Sequence, residues 1–292
     1  MKVAIFGSVA KNGFIPTAER LLRCLGEYGC GILLYHEVRD TLEARDADMP
    51  ADYAVIGENE DFSADLVFSI GGDGTFLKTA MRIKDKGIPI MGIKLGNLGF
   101  LVDMQTSDIE NAVHDIMRNG FSVEKRSLLQ LKTDGLEYSA GEPYALNEVA
   151  VLKRDSSSML KIDATLNGEF FCCYRADGLL VSTPTGSTAY ALSVGGPILM
   201  PQNHSLVISP VASHSLNLRP VVIPDNWCVD LKVSSRSGNF MVSLDGRSQV
   251  LDNKTGLHIQ KAPFCTYIAK RRGHTYFQTL REKFLWGADV RL

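Results

Sequence analysis

Gly71-Gly72-Asp73-Gly74-Thr75 sets one carboxylate inside a run of glycines. The loop lies between an apolar stretch, Leu66 to Ile70, and a segment with Phe76, Ala80 and Ile83 on one helical face. It therefore belongs between a buried strand and a helix, at the strand's carboxyl end, where open α/β sheets bind ligands. Glycines let a phosphate approach bare backbone, and the helix N-terminus offers unpaired N–H groups and a positive dipole. An aspartate there would repel a bound anion. It makes sense if it accepts a proton from an attacking hydroxyl, or holds magnesium between itself and phosphates. The bland alternative is a strand-to-helix turn with Asp73 as its N-cap.

Three further segments carry chemistry. Gly92 to Phe100 is a second glycine-punctuated loop after a strand, at the same edge as Gly71-Gly72, with Phe100 offering an apolar surface to a base; a tight crossover is its structural alternative. Asp177 to Ser193 runs from a strand into a loop with five Ser/Thr hydroxyls between Ser182 and Thr188, neutral groups suited to ribose, amide or phosphate. Tyr190, just after it, can stack on a purine. Asn147-Glu148, at an apolar strand, offers an amide beside a carboxylate, a pairing that suits a vicinal diol but also an ordinary solvated strand end. G-x-x-x-x-G-K-[ST] and a post-strand G-x-G-x-x-G are both absent. The six histidines have no metal spacing, and the six cysteines no paired C-x-x-C, so neither set predicts a metal site.

These loops need elements to position them. Lys2 to Phe6, Gly31 to Tyr35, Leu66 to Ile70 and Ile88 to Gly92 read as strands. Helices are expected from the Pro16-Thr17 entry, after Asp73, and from a capping box at Ser107-Asp108-Ile109-Glu110. Asp40 to Asp61 reads as an acidic surface connector. This alternation predicts a parallel sheet flanked by helices over residues 1–125. After Gly120 strands dominate: Leu160 to Leu166 turns through Asn167-Gly168 into Glu169 to Tyr174, and Trp227 to Val233 and Phe240 to Leu244 follow, the latter ending at Asp245-Gly246. A β-rich domain is expected over 126–270. A last helix, about 275–292 with Tyr276, Leu280 and Phe284 in register, is expected to pack back on the first domain.

Composition narrows the class. With 31 Lys+Arg against 33 Asp+Glu, the charge of −2 argues against electrostatic wrapping of nucleic acid. At 45% hydrophobic and 22% charged residues, each domain can bury a core and disorder is not expected. No stretch has the length of a signal h-region or a membrane helix, so a soluble, cytoplasmic chain with reduced cysteines is expected.

In order and spacing, Gly71 to Thr75, Gly96 to Phe100, Asn147-Glu148, Asp177-Gly178, Ser182 to Tyr190, Gly195-Gly196-Pro197, Pro210, His214, Leu216, Arg219 and Pro220 closely resemble the bacterial NAD kinase family, over nearly the whole chain. The G-G-D-G element alone is shared with diacylglycerol and sphingosine kinases; Ser182 to Tyr190 with Asn147-Glu148 is the specific part.

The resemblance implies an α/β N-terminal domain of Rossmann-like type, a β-rich C-terminal domain, and an active site between them. It implies transfer of the terminal phosphoryl group of ATP, or of polyphosphate, to the 2′-hydroxyl of the adenosine ribose of NAD. Asp73 is then the base facing that hydroxyl, and Gly74 and Phe100 line the NAD cleft. Asn147 and Glu148 hold ribose hydroxyls; Thr188, Ala189, Tyr190, Ala191, Leu192 and Ser193 hold the adenosine. Ala212 and Arg247 fall in pocket-lining regions, and Lys78 contacts a phosphate or sits on a solvated helix face. Arg175 and Asp177 are assigned to the nicotinamide half, in a homodimer or homotetramer where they serve a neighbour's site. Magnesium or another divalent cation is expected to arrive with ATP, with no protein metal ligands. The rival readings are a lipid or sugar kinase sharing the G-G-D-G element, and a non-catalytic NAD or NADP sensor.

Overall fold

The apolar run Val3 to Phe6 is buried on both faces, as a central parallel strand requires, and forms β1 (Lys2–Gly7). The structure, a computed structural model, describes residues 1–96, 99–102, 104–155, 159–273 and 275–285. The chain divides into two compact units, one of Met1–Lys125 with the chain from Thr266 onward, the other of Arg126–Cys265.

In the first unit β1 leads to α1 (Phe14–Glu27), which starts two residues before Pro16 because Gly13, at φ +84°, turns the chain into it. β2 (Gly31–Tyr35) follows. The stretch read as a connector instead holds α2 (His36–Glu43) and β3 (Ala54–Ile56). Only Val38 and Leu42 of α2 are buried, a single i, i+4 pair among charges, too short a stripe for its period to stand out. Next come β4 (Leu66–Gly71), α3 (Asp73–Ile83), β5 (Ile90–Lys94), β6 (Met104–Gln105) and α4 (Ile109–Asn119).

The strands are parallel in the order β5-β4-β1-β2-β3, with β6 beside β5. Leu21 and Leu25 of α1 and Ile109, Val113 and Ile116 of α4 share one core with Ile5, Phe68, Ile70 and Ile93. The expected capping box at 107–110 does not form. Thr106–Asp108 is one 3₁₀ turn, no side chain caps α4, and Glu110 accepts instead from Arg20 Nε (2.8 Å) and Nη2 (2.5 Å). A bidentate guanidinium pair outcompetes a return bond to backbone.

The boundary to the second unit falls inside β7 (Ser122–Thr133). There follow β8 (Tyr144–Ala145), β9 (Glu148–Leu152), β10 (Leu160–Leu166), β11 (Glu169–Ala176), β12 (Gly178–Ser182), the short α5 (Tyr190–Ser193), β13 (Ser205–Val211) and β14 (Val221–Pro224). β15 (Val229–Ser234), β16 (Asn239–Leu244), β17 (Arg247–Asp252) and β18 (Leu257–Lys270) complete the strands. One antiparallel sheet runs β14-β13-β12-β9-β16-β17; another runs β11-β10-β15-β18. Val149, Val151, Leu179 and Val181 of the first sheet bury against Ile162, Ala164, Leu231 and Val233 of the second, the inward halves of alternating strands.

Both turns read from sequence form: Asn167-Gly168 at φ +50° and +87° and Asp245-Gly246 at φ +48° and +84°, the double positive φ of a type I′ hairpin. The end of β18 pairs in the first unit, Ile268 with Ile90 of β5. α6 (Tyr276–Phe284) follows, with Thr275 Oγ1 accepting the Gln278 N–H. His274 and the rest of the expected last helix, residues 286–292, lie outside the described residues. Among those described, no helix is long and apolar enough to cross a membrane.

Candidate active site

In the first unit the Gly71–Thr75 loop joins β4 to α3, with Gly72 as N-cap and Asp73 as the first helical residue. Asp73 is therefore not the cap of the bland alternative. Its carboxylate reaches across to the second glycine loop: Phe100 N–H donates to Oδ2 at 2.8 Å and Leu101 N–H to Oδ1 at 3.1 Å. A Cβ on Gly99 would lie 1.9 Å from Asp73 Oδ1, so the approach is open only to glycine. Each carboxylate oxygen keeps a further lone pair for a ligand proton.

Asp73, Gly74 and Phe100 are thus neighbours, as the sequence predicts for one wall. Phe100 in turn packs on α6, 5.4 Å from the Phe284 ring and 4.8 Å from Lys283 Nζ. Lys78 is exposed one turn further along α3. Asn97 and Leu98 of the same loop lie outside the described residues.

In the second unit β9 and β12 pair so that Glu148 lies opposite Ser182. This register brings Asn147-Glu148 to the end of β12 from which the hydroxyl-rich loop leaves. The loop folds onto the dipeptide: Thr183 N–H donates to Asn147 O (2.9 Å), and Thr183 Oγ1 donates to Leu146 O (2.5 Å). A Cβ on Gly186 would lie 2.1 Å from Asn147 O, which explains the glycine between Thr185 and Ser187.

Several of the hydroxyls make hydrogen bonds inside this segment. Ser187 Oγ donates to Pro184 O (2.7 Å), Thr188 Oγ1 donates to Thr185 O (3.2 Å), and Thr185 Oγ1 accepts from Arg126 (3.4 Å). Ser182 Oγ is buried. The donor protons of Ser187 and Thr188 are thus spent within the loop, while their oxygens keep acceptor capacity. What the loop presents is Tyr190, 38% exposed, at the start of α5, whose Ala191 is anchored against Ala150 and Leu180.

Glu148 is the electrostatic focus of this end. Its carboxyl is pushed up to about 8 by burial first and by the neighbouring Asp245 carboxylate second, against the pull of the Tyr190 backbone N–H. Oε2 is shut off from solvent and has no partner. Asp245 carried no chemical signal in the sequence beyond its Asp-Gly turn. In the structure its carboxylate accepts from the N–H groups of Leu146 (2.6 Å), Asn147 (2.9 Å) and Glu148 (3.1 Å). Burial raises its pKa while those three donors and Arg247 oppose the rise. With three amides on it, the Asp245 carboxylate is the better stabilised of the pair. Arg247 donates to the carbonyls of Leu244, Glu142 and Tyr144, so its guanidinium is committed to backbone.

Arg175, Asp177 and Ala212 gather elsewhere. Asp177 N–H donates to Val211 O, His214 N–H donates to Arg175 O, and Lys153 Nζ pairs with the Asp177 carboxylate at 2.8 Å. They sit at the start of β12, with Gly178 opposite Leu152 rather than Glu148. At about 3.4 Å per residue, roughly 17 Å of strand separates Asp177 from Ser182. Within one unit, then, Asn147, Glu148, Tyr190 and Arg247 form one cluster, and Arg175, Asp177 and Ala212 another. Among the described residues no group of three His, Cys, Asp or Glu side chains is arranged to hold a metal ion.

The family model for the ATP-NAD kinase N-terminal domain matches residues 3–121, and that for the C-terminal domain matches residues 146–270. The chain is 46% identical over 292 residues to a protein named NAD kinase from Bacteroides fragilis, covering 100% of both. It is 40% identical over 294 residues to one from Flavobacterium psychrophilum, again covering 100% of both. The crystal structure of a yeast NADH kinase complexed with NADH shares the fold at a TM-score of 0.89 and 21% identity, over 100% of this chain and 89% of that one. With a G-G-D-G-T loop, an Asn-Glu pair and a buried Thr-Pro-Thr-Gly-Ser loop held as described, and with relatives matched end to end, the chain belongs to the NAD kinase family.

Proposed function

We propose that in phosphorylating NAD the chain uses Asp73 as general base toward the 2′-hydroxyl of the adenosine ribose, with the terminal phosphoryl group of ATP as the group transferred. The observation that carries this is the Asp73 carboxylate itself, fixed at the start of α3 by two backbone N–H groups yet keeping lone pairs free. The 2′-oxygen attacks the terminal phosphorus as its proton passes to Asp73. The new O–P bond forms while the bond to the bridging oxygen breaks, and ADP departs with that electron pair. A positioned carboxylate contributes a factor of roughly 10²–10⁴ to such a step.

Gly74 and Phe100 face the NAD on the Asp73 side. Asn147 and Glu148 hold ribose hydroxyls, Glu148 as a neutral acid that can both donate and accept. Thr188 to Ser193 cradle the adenosine, with Tyr190 stacking on the purine. Ala212, Arg175 and Asp177 act on the nicotinamide half, and their distance along β12 from Glu148 supports service to a neighbouring subunit's NAD in a homo-oligomer. Arg247 acts through the backbone it holds. A divalent cation, supplied with the donor, would neutralise phosphate charge. A cytoplasmic location belongs to the same reading.

The test is to incubate the purified chain with NAD, ATP and magnesium and to assay NADP with an NADP-specific dehydrogenase. Asp73→Asn is expected to lower kcat by about 10²-fold or more while NAD affinity holds. Equal loss of turnover and affinity would make the carboxylate structural.

A further inference from the structure

The first unit contains a cleft of about 450 Å³ that none of the site residues above lines. Its walls include Asn12 and Thr17 at the start of α1, Lys94 and Gly96 at the end of β5, and Gln105 and Thr106 at the end of β6. That volume is in the range of small-molecule sites. The walls present amides, hydroxyls and an ammonium group, and none of the described lining residues carries a carboxylate. Arg20 also borders the cleft, but Glu110 neutralises it through two hydrogen bonds, so Lys94 supplies the net charge.

The cleft adjoins the glycine loop. Lys94 pairs with Gly71 across β4 and β5, and Leu95 N–H donates to Gly71 O at 2.7 Å. A second ammonium stands over the loop itself: a Cβ on Gly72 would lie 3.1 Å from Lys11 Nζ. Lys94 and Gly96 thus wall the cleft, while Phe100 and Leu101 of the same glycine-punctuated region hydrogen-bond Asp73. Two ammonium groups and several neutral donors beside the Asp73 carboxylate, with no carboxylate among the described lining residues, match an extended polyanion.

We propose that this cleft binds the phosphate chain of the phosphoryl donor, with Lys94 contacting the chain along its length and Lys11 nearest the group transferred. The shared chemistry is a row of linked phosphates, whether the triphosphate of ATP or inorganic polyphosphate. The assignment rests on the reading of Asp73 as base to the acceptor, because it gives donor and acceptor separate sides of one loop.

The full chain is assayed for NADP formation with ATP and, separately, with polyphosphate, and titrated calorimetrically with inorganic tripolyphosphate. Lys94→Gln is expected to raise the donor KM about tenfold or more and to weaken tripolyphosphate binding by a similar factor, the usual cost of losing a charged hydrogen bond. The KM for NAD stays unchanged, which also reports an intact fold, and Lys94→Arg restores the donor KM. Thr106→Glu, which puts a carboxylate in the cleft, acts in the same direction as Lys94→Gln. An effect on both donors, or on one, supports the cleft and identifies which source uses it. Donor KM and tripolyphosphate affinity unmoved in both variants overturn the proposal, as does a rise confined to the KM for NAD. Should Asp73→Asn retain full turnover, the base assignment fails, while the tripolyphosphate titration still decides the cleft.

Discussion

Glu148 is a carboxyl pushed up to about 8 by burial and by the neighbouring Asp245 carboxylate. Its raised pKa means that the folded chain binds a proton that the unfolded chain has released, between the ordinary carboxyl range and about pH 8. Stability therefore falls as pH rises through that window, and the contribution is fully present only below it. Glu148→Gln mimics the neutral acid. It is expected to flatten the fall in Tm between pH 5 and 8 and to keep the KM for NAD near that of the parent at pH 7. Glu148→Ala, which leaves no hydrogen-bonding group, is expected to raise that KM about tenfold. A Tm profile that Glu148→Gln leaves unchanged would show that the titration belongs to another group. The sequence made Glu148 a candidate, but only as an ionised diol acceptor. Its protonation depends on a neighbour 97 residues away in the chain.

At the scale of elements, the loops of the site are held by half-buried groups on neighbouring turns. Asp245 grips three consecutive amides of the segment entering β9 from its place in the β16–β17 turn. Asp245→Asn keeps the shape but removes the charge from those bonds. It is expected to cost about 2 kcal/mol of stability, read from urea unfolding, and to raise the KM for NAD more than it lowers kcat. A fall in kcat alone would sink this positioning role. The same lesson applies to the Ser182–Thr188 loop. Its composition announces hydrogen bonding, and the bonds form, but Thr183, Ser187 and Thr188 spend their hydroxyls on carbonyls of the segment itself or of Leu146. Residue type fixes how many donors a loop has; only the backbone path decides whether a carbonyl or a ligand receives them. α2 went unread for a related reason, because two buried residues carry too little periodicity to separate a helix from a charged connector.

At the scale of the molecule, the chain devotes one unit to the carboxylate and another to the Asn-Glu pair, and among the described residues neither contains a dedicated metal cage. EDTA is accordingly expected to abolish NADP formation, and magnesium or manganese to restore it. On the reading that the cation arrives with the donor, thermal unfolding should stay unchanged throughout. A Tm lowered by EDTA would reveal a structural ion instead. Besides the resemblance that points to the family, sequence by itself determined the two fold classes, both hairpin turns and the carboxylate in the glycine loop. These follow from local spacing: strand runs with period two, helices near 3.6, glycines where φ is positive or backbone comes close. Tertiary structure alone decided that Asp73 is tied to Phe100 and Leu101, that Glu148 stays neutral beside Asp245, that Arg247 is spent on carbonyls, and that a cleft opens beside Lys94. Burial, pairing and cavities are made by residues far apart in the chain, and no local pattern of residue types specifies which of them will meet.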